Sequence, residues 1–323
     1  MKSRLFYFIV WICTCAYATE VKIANWNVQT FFDSTRDGTE LAEFTKKTVW
    51  TDDLYKQRLQ YLAKALLIID ADIVVLEEIE KAAILYDISN ALSQNTLFTR
   101  KRYRWACFGK AEDAAFGIAV LSCYPITASY VHALDIRTES IQQPLLRPLL
   151  EAHITVTTRT GEKSLVIYGN HWKSKRDGTT TAAVWHQWQG KLLLDKMEQM
   201  AVLEPLSLFV ACGDFNTDVC SDSMYGLAGQ TLKTANTDMY NPWRDQSRLP
   251  GNANHGSYYY NNIWSRLDHI LIAPSNHYVP SSFAVERNEL WAFSDGRPKA
   301  YRISDGSGCS DHLPISCRIR IDD

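Results

Sequence analysis

Six short polar clusters mark the chain, and each lies where an apolar stretch ends or begins. Carboxylates, amides and imidazoles recur in them, and these are side chains that bind hard cations, orient water and move protons. If one edge of a folded sheet brought them together, they would form a hydrolytic site of the kind that uses a divalent cation. The clusters are Asn25–Asn27, Glu77–Glu78, Gly169–Lys175, Gly213–Asp218, Asp268–His269 and Asp311–His312.

Each cluster alone also has a purely structural explanation. Acidic residues at strand ends commonly form solvated turns, and "GDFN" at Gly213–Asn216 is compatible with an Asx turn. His171 is likewise compatible with a hydrogen-bonded histidine beneath a loop. Six such clusters in one chain are much harder to explain this way, so the sequence favours a chemical site assembled from distant segments.

The last cluster lies between two cysteines, in "CSDHLPISC" at Cys309–Cys317. From Leu313 to Ile321 apolar and polar residues alternate, which predicts a half-buried strand with Cys317 on its core side. Extended chain would separate Cys309 from Cys317 by roughly 20 Å, whereas a disulfide needs Cα atoms within about 7 Å. The sequence therefore predicts an Asp311–His312 pair at the start of a strand, and not a disulfide or shared metal knot of these two cysteines.

The segments that must position the clusters alternate between strands and helices. Leu59, Leu62 and Leu66 share one face of a helix over Asp52–Asp70, and further helices are predicted to about Leu92 and over about Thr181–Met200. Strands outnumber helices, which favours two packed sheets with helices outside over an open parallel sheet. The predicted strands are Val21–Val28, Asp72–Glu80, Tyr103–Phe108, Phe116–Ser122, Leu149–Thr157, Ser164–Asn170, Leu206–Cys212, Leu267–Ala273 and Leu313–Ile321.

The N-terminus has the features of a signal peptide. Lys2 and Arg4 precede the apolar stretch Leu5–Cys15, and small residues follow at Ala16–Ala18. We expect cleavage after Ala18, which leaves residues 19–323 as a single domain that is exported to the periplasm or secreted. A lipoprotein acylated at one of the cysteines in this stretch is the less favoured alternative.

Cleavage would remove two positive charges from a net charge of −2 and leave −4. This is not the charge of a protein that binds polyanions with its whole surface, so nucleic-acid contact would come from a local patch. The basic segments Lys101–Arg104 and Lys173–Arg176 are candidates, although a solvated basic face explains them equally well. The aromatic stretch Gly256–Trp264 is compatible with base stacking or with an amphipathic strand. Six cysteines would remain, which permits disulfides without requiring them.

The order of the motifs resembles the endonuclease/exonuclease/phosphatase superfamily of DNase I-like phosphodiesterases, in an exported form of bacterial type. The resemblance implies a four-layered sandwich, in which two packed, mainly antiparallel β-sheets are flanked by helices. It spans roughly residues 21–321, and "GDFN" with "SDHLPI" is its most specific part. The motifs are "NWNV", "VVLEEI", "GIAVLS", "LLRPLLEA", "GNHWKSK", "GDFN", "RLDHIL" and "SDHLPI".

The resemblance also implies a metal site and a group of phosphate ligands. Glu78 matches the metal-binding glutamate of the family, and Asn27 and Asp311 are expected beside the same cation. That cation is expected to be Mg²⁺, with Mn²⁺ or Ca²⁺ as alternatives. Arg147 matches a basic position that contacts phosphate, and Lys173, close to His171 in the sequence, is expected as a further phosphate ligand.

Five residues are implied in catalysis. Asp214 is expected to orient or deprotonate the attacking water, and Asn216 to hold that water or the phosphate. His312 is expected to contact the scissile phosphate while Asp268 orients its ring and keeps it protonated. His171 is implied either as a phosphate ligand or as a proton donor to the leaving oxygen. The acid that pairs with this histidine in digestive nucleases has no match in the sequence.

Three functions remain open at this point. The leading one is a nuclease that hydrolyses nucleic acid, with DNA favoured, acting as a monomer without stable membrane insertion after signal cleavage. The second is a phosphodiesterase or phosphatase that acts on lipid headgroups such as sphingomyelin or phosphoinositide. The third is an exported binding protein without catalytic activity, which the complete set of catalytic side chains disfavours.

Overall fold

The computed structural model describes residues 19–46, 49–94, 103–136, 142–218, 239–246 and 256–321. The predicted signal peptide, Lys101, Arg102 and Cys220 lie outside these residues. The strands and helices, in chain order, are β1 (Thr19–Phe31), α1 (Asp52–Ile69), β2 (Ile73–Ile79), α2 (Ala83–Gln94), β3 (Trp105–Gly109), β4 (Gly117–Ser122), β5 (Ile126–His132), β6 (Leu149–Thr157), β7 (Glu162–His171), α3 (Thr179–Leu203), β8 (Leu208–Asp214), α4 (Trp243–Gln246), β9 (Tyr258–Tyr260), β10 (Ile263–Ser265), β11 (Asp268–Ala273), β12 (Ala284–Val285) and β13 (Ile315–Ile321).

Two large sheets dominate the described part of the chain. One has six strands in the order β12-β13-β1-β2-β4-β3, and the other has five in the order β11-β8-β7-β6-β5. All neighbours in these sheets are antiparallel except β1 with β2 and β7 with β8. Strands β9 and β10 form a separate hairpin.

Apolar side chains divide the molecule into layers. Alternate residues of each strand, such as Ile73 and Val75 of β2 and Ile167 of β7, fill the space between the two sheets. The outer face of the six-stranded sheet packs against α1 and α2, and the outer face of the five-stranded sheet packs against α3. The predicted four-layered sandwich of two mainly antiparallel sheets flanked by helices is therefore confirmed.

Helix α1 shows how local sequence sets an element's limits. The Thr51 side chain caps its start by accepting a hydrogen bond from the Leu54 N–H, and Asp52 and Asp53 lie in its first turn, near its positive end. At its other end Asp70 adopts the left-handed conformation and its N–H donates to the Leu66 carbonyl. The helix thus has the start and length that the sequence predicts.

The predicted strands are all present, and the structure adds β5, the β9–β10 hairpin and the short strand β12. Strand β5 lies at the edge of its sheet, and three of its seven residues have exposed side chains in succession. Its half-polar sequence "ITASYVH" therefore lacks the apolar alternation by which the other strands were predicted.

The described cysteines are all free thiols, at positions 107, 123, 212, 309 and 317. Cys317 is fully buried between the sheets, as the alternation predicts, while the Cys309 thiol donates to the Leu290 carbonyl. Cys309 and Cys317 do not pair, in agreement with the prediction. No helix in the described residues is both long and apolar enough to cross a membrane.

Candidate active site

The polar clusters meet at one rim because of how the strands pair. The parallel pairs β1–β2 and β7–β8 bring the carboxyl ends of four strands together, with Asn27 opposite Glu77 and His171 opposite Asp214. Strand β11 runs antiparallel to β8 and begins at this same rim, with Asp268 opposite Asp214. Close approach of β7 and β8 requires Gly213, because a Cβ there would lie 1.9 Å from the Asn170 carbonyl oxygen.

Irregular backbone in β1 and β2 directs two predicted metal ligands into the rim. Both strands change register here, and Glu78, Gln29 and Thr30 have positive φ angles of 65°, 52° and 48°. The Gln29 N–H donates to Asn27 Oδ1 at 2.9 Å, and the Thr30 N–H donates to Glu78 Oε2 at 2.5 Å. The strained backbone therefore holds both side chains in place through its own N–H groups.

Arg58 of α1 fixes that stretch of backbone through hydrogen bonds. Its guanidinium donates to the carbonyls of Val28, Gln29 and Thr30, and it lies over the rings of Phe31 and Tyr301. The side chain is 2% exposed. Sequence reasoning did not identify Arg58, although its spacing from Leu62 places it on the apolar face of α1, where an arginine is unusual.

His312 belongs to a buried hydrogen-bonded chain. Ser257 Oγ donates to Asp268 Oδ2 at 2.5 Å, and the same oxygen lies 2.8 Å from His312 Nδ1. The other ring nitrogen, Nε2, lies 3.9 Å from Asp214 Oδ2. Burial alone would lower the pKa of His312, but Asp268, Asp214 and Asp311 raise it well above 6.5. The ring is therefore an imidazolium at neutral pH, and Nε2–H is its donor on the side of the pocket.

His171 has different surroundings in the same pocket. Its Nε2 lies 3.8 Å from Asp214 Oδ2 and 3.9 Å from Glu78 Oε1, while its Nδ1 has no hydrogen-bond partner among the described residues. Its ring stacks on Phe116, with 6.0 Å between centroids. Burial, reinforced by the nearby Arg147 and His312, lowers the pKa of His171 well below 6.5. The ring is therefore neutral, which favours the phosphate-ligand role over the proton-donor role.

Asp214 is the carboxylate that faces both imidazoles. It is 2% exposed, and burial raises its pKa to about 7 although His312 opposes the shift. Its Oδ1 accepts from the Asn216 N–H at 2.9 Å, and its Oδ2 accepts from Asn27 Nδ2 at 3.1 Å. A carboxylate with a pKa near neutrality can take a proton from water and release it again, which a general base must do.

Arg147 and Asn216 are fixed by one backbone carbonyl. Arg147 Nη1 and Asn216 Nδ2 donate to the Trp172 carbonyl oxygen at 3.3 and 3.1 Å, and the guanidinium lies 5.3 Å above the Phe116 ring. Lys173 follows directly in the chain, and its backbone is held by Gln189 and His186. Two donors beside the carboxylates are suited to a substrate phosphate.

The donor set at Glu78 fits a hard divalent cation. Burial raises the pKa of Asp311, and the charge of the Glu78 carboxylate adds to that rise. An additional positive charge between such groups would stabilise their ionised forms. Asn27 Nδ2 donates to Glu78 Oε1 at 3.2 Å while Asn27 Oδ1 accepts from the Gln29 N–H, so the Asn27 amide presents its nitrogen to Glu78.

A second acidic group lies near the end of β2, where carboxylates of Asp37, Glu40 and Glu80 approach one another. The Lys81 ammonium lies 3.2 Å from Asp37 and 3.4 Å from Glu80. Because Lys81 already supplies the positive charge, this cluster is explained as an ion-pair network.

The structure thus brings the predicted residues to one pocket, while their roles stay predictions. Six are linked by the distances above: Asn27, Glu78, His171, Asp214, Asp268 and His312. Arg147 and Asn216 are linked through Trp172, Asp311 through the effect of Glu78 on its pKa, and Lys173 through chain proximity. Sequence reasoning missed Ser257, Phe116 and Arg58, because single serine, phenylalanine and arginine residues carry no motif of their own.

Comparison with protein families places the whole site within one family model. Residues 24–312 match the model of the endonuclease/exonuclease/phosphatase family. No curated protein sequence matches the chain significantly.

Solved structures share the fold at low sequence identity. A truncated TDP2 from Caenorhabditis elegans is 14% identical with a TM-score of 0.59, covering 94% of this chain and 98% of its own. An endonuclease/exonuclease/phosphatase family protein from Bacteroides thetaiotaomicron is 15% identical with a TM-score of 0.59, covering 95% and 97%. The D. rerio TDP2, solved in complex with a single-strand DNA product, is 17% identical with a TM-score of 0.53, covering 94% and 100%.

Proposed function

The chain belongs to the endonuclease/exonuclease/phosphatase family, whose members hydrolyse phosphoesters, and on this premise we propose that it is a metal-dependent phosphodiesterase that cleaves nucleic acid. DNA is the favoured substrate. The observation that carries the proposal is the chain Ser257–Asp268–His312, which presents a charged imidazole to Asp214 beside Glu78.

The hydrolysis follows from the charge states of the pocket. Asp214 orients a water molecule and accepts its proton, since burial holds its pKa near neutrality. The water attacks the phosphorus in line, so no covalent intermediate with the protein forms. The His312 imidazolium donates a hydrogen bond to a phosphoryl oxygen, where negative charge develops, and Asp268 keeps that imidazolium charged and oriented.

The remaining residues bind the phosphate and the cation. Arg147 and Asn216 donate to the phosphate, with Lys173 beside them, and neutral His171 adds a hydrogen bond without changing the charge. Glu78 and Asp311 would hold Mg²⁺, or alternatively Mn²⁺ or Ca²⁺, with Asn27 next to them. When bound, such a cation neutralises charge on the phosphoryl oxygens.

The proposal also includes export of the protein. Residues 1–18 have the sequence of a signal peptide, so we include export and cleavage, which leave residues 19–323 as one monomeric domain without stable membrane insertion.

A nucleic-acid product is compatible with the fold, because the D. rerio TDP2 was solved with single-strand DNA.

The test is a cleavage assay with the purified chain from residue 19 and Mg²⁺. Plasmid DNA, RNA and vesicles that contain choline or inositol lipids are incubated with wild type, Asp214→Ala and the control Asp87→Ala, a substitution on α2 outside the pocket. We expect DNA cleavage by wild type and the control, abolished by EDTA and by Asp214→Ala. Cleavage of lipid without nucleic acid would contradict the substrate, and activity that survives both EDTA and Asp214→Ala would contradict the mechanism.

A further inference from the structure

The β9–β10 hairpin is attached directly to the candidate active site. Tyr258 pairs with His312 in an isolated antiparallel bridge, and the Leu313 N–H donates to the Ser257 carbonyl at 2.7 Å. The two residues of its turn, Asn261 and Asn262, have φ angles of 48° and 63°. Two consecutive positive φ angles define a tight hairpin turn that matches the twist of its strands. The hairpin is therefore a rigid extension of the pocket wall.

One face of this hairpin is used for packing. The rings of Tyr259 and Trp264 lie 5.0 Å apart, Arg297 covers the Tyr259 ring at 5.5 Å, and Arg287 covers the Trp264 ring at 5.9 Å. These arginines belong to the segment that follows β12. These contacts fix the hairpin to the body of the protein, and the two arginines cover the faces of both rings.

The other face extends the pocket outward as two successive rings. The Tyr258 ring lies 4.7 Å from the His312 ring, between centroids. The Tyr260 ring follows at 6.4 Å from Tyr258, within 21° of parallel, and the residue is 62% exposed. An aromatic step of two tyrosine rings thus begins beside the His312 imidazole, to which the Tyr258 ring is tilted by 40°, and ends in solvent.

Positive charge acts on the residues at the start of this step. Arg176 acts electrostatically on Tyr258, on Asp311 and on His171, so it contributes positive potential to the pocket. Burial and nearby acids keep the Tyr258 phenol protonated, with a pKa of about 12. An anionic group at the pocket would therefore sit next to a neutral aromatic surface.

We propose that Tyr258 and Tyr260 form a stacking surface for an unpaired nucleobase next to the scissile phosphate, so that the preferred substrate is single-stranded nucleic acid. This inference rests on the proposed function and names its substrate class more narrowly. Nearly parallel rings suit a flat base, and a base can offer its face to them only when it is not paired and stacked in a duplex.

A lipid headgroup with a quaternary ammonium fits these residues less well. Such a cation is bound by several rings that surround it. Here the step consists of two nearly parallel rings, positive guanidinium groups lie on the neighbouring aromatic residues, and Arg176 adds positive potential at Tyr258. The headgroup therefore serves as the alternative outcome of the test.

The experiment uses a single-stranded DNA oligonucleotide, its duplex, the corresponding RNA, and single strands in which a stable abasic residue replaces each nucleoside next to the cleaved phosphate in turn. Phosphocholine is added as an inhibitor in a parallel series. The proteins are wild type, Tyr260→Ala, Tyr260→Phe and Tyr86→Ala, the last removing another exposed tyrosine, from α2. Thermal unfolding of each variant establishes that it is folded.

We expect Tyr260→Ala to lower kcat/KM on the intact single strand about tenfold, mainly through KM, and to have no effect on one of the abasic strands. Tyr260→Phe and Tyr86→Ala should match wild type, and wild type should prefer the single strand to the duplex.

Three results would overturn the inference. If wild type cleaves the oligonucleotide and Tyr260→Ala cleaves it equally well, the stacking surface is wrong while the proposed function stands. If wild type cleaves neither DNA nor RNA, the proposed function fails and the inference fails with it. If phosphocholine inhibits wild type but not Tyr260→Ala, the rings bind a quaternary ammonium group instead of a base.

Discussion

Two histidines enter the same pocket from different sheets and meet opposite surroundings. His312 precedes β13 of the six-stranded sheet, and His171 ends β7 of the five-stranded sheet. They are almost equally buried, 5% and 2% exposed. Acids raise the pKa of His312 above its usual value, whereas burial and the nearby Arg147 lower that of His171. Burial lowers the pKa of both rings; the neighbouring acids outweigh it at His312, while Arg147 reinforces it at His171.

The difference separates two tasks in phosphate chemistry. A charged imidazole can stabilise the negative charge that develops on a phosphoryl oxygen, while a neutral one can hold the phosphate without a large electrostatic effect. The larger loss of activity should therefore follow from damage to the His312 side. The following changes test this expectation, from the largest expected effect to the smallest.

Asp268→Asn should lower kcat roughly a thousandfold, because His312 loses the carboxylate that keeps it charged and oriented. Asp268 raises the pKa of His312, so its removal should lower that pKa and move the alkaline limit of activity to lower pH. The pH dependence of kcat measures both effects. Asp87→Asn is the matched control, since Asp87 also accepts a hydrogen bond but lies on α2; an unshifted alkaline limit in Asp268→Asn would contradict the assignment.

His171→Gln should lower kcat/KM roughly a hundredfold, through loss of one hydrogen bond to the phosphate. Because His171 is neutral at neutral pH, the shape of the pH profile should stay the same. Steady-state kinetics across pH give both quantities. Loss of one limb of the profile in this variant would show instead that His171 transfers a proton.

Arg58→Lys should raise the Mg²⁺ concentration needed for half-maximal binding about tenfold, because lysine cannot donate to three carbonyls that shape the strand behind Asn27 and Glu78. Calorimetric Mg²⁺ titration measures this without substrate. The control is Arg302→Lys, which alters an exposed ion pair. Since Arg58 contacts neither histidine, a changed pH profile would contradict the separation of metal site and imidazoles.

Glu77→Gln should have the smallest effect of these substitutions, and that effect is on the pH dependence of stability. Burial, with Asp268 and Asp214, raises the pKa of Glu77 well above 4.5, so the folded protein retains a proton that the unfolded chain releases. Glu77 should therefore contribute a fall in the free energy of unfolding as pH rises above about 4.5, of at most ~1.4 kcal/mol per pH unit, and the variant should have a slope shallower by this contribution. Denaturant unfolding at several pH values checks it; equal slopes would show that Glu77 is ionised.

The sequence carries much of this arrangement but not all of it. Helix α1 and strands β2, β8 and β13 follow from apolar periodicity, because each buries one side or both. Edge strand β5 is not predicted, because its exposed positions do not alternate between apolar and polar residues. The motifs likewise name Asp268 and His312 but not the partners that set their properties.

Those partners depend on tertiary contacts. Arg58 reaches the carbonyls of Val28–Thr30 only after α1 packs on its sheet, and Tyr258 meets His312 only through the hairpin. The different charge states of the two histidines depend on distances of a few ångströms between segments far apart in the chain. Residue identity gives the candidates, and packing decides what they do.

Nitrogen NMR titration of the two imidazoles, assigned with His171→Gln and His312→Gln, tests the difference between them most directly. At pH 6.5, His312 should be an imidazolium and His171 should be neutral. Two rings that titrate together near pH 6.5, or a charged His171 beside a neutral His312, would contradict the division of roles in the pocket.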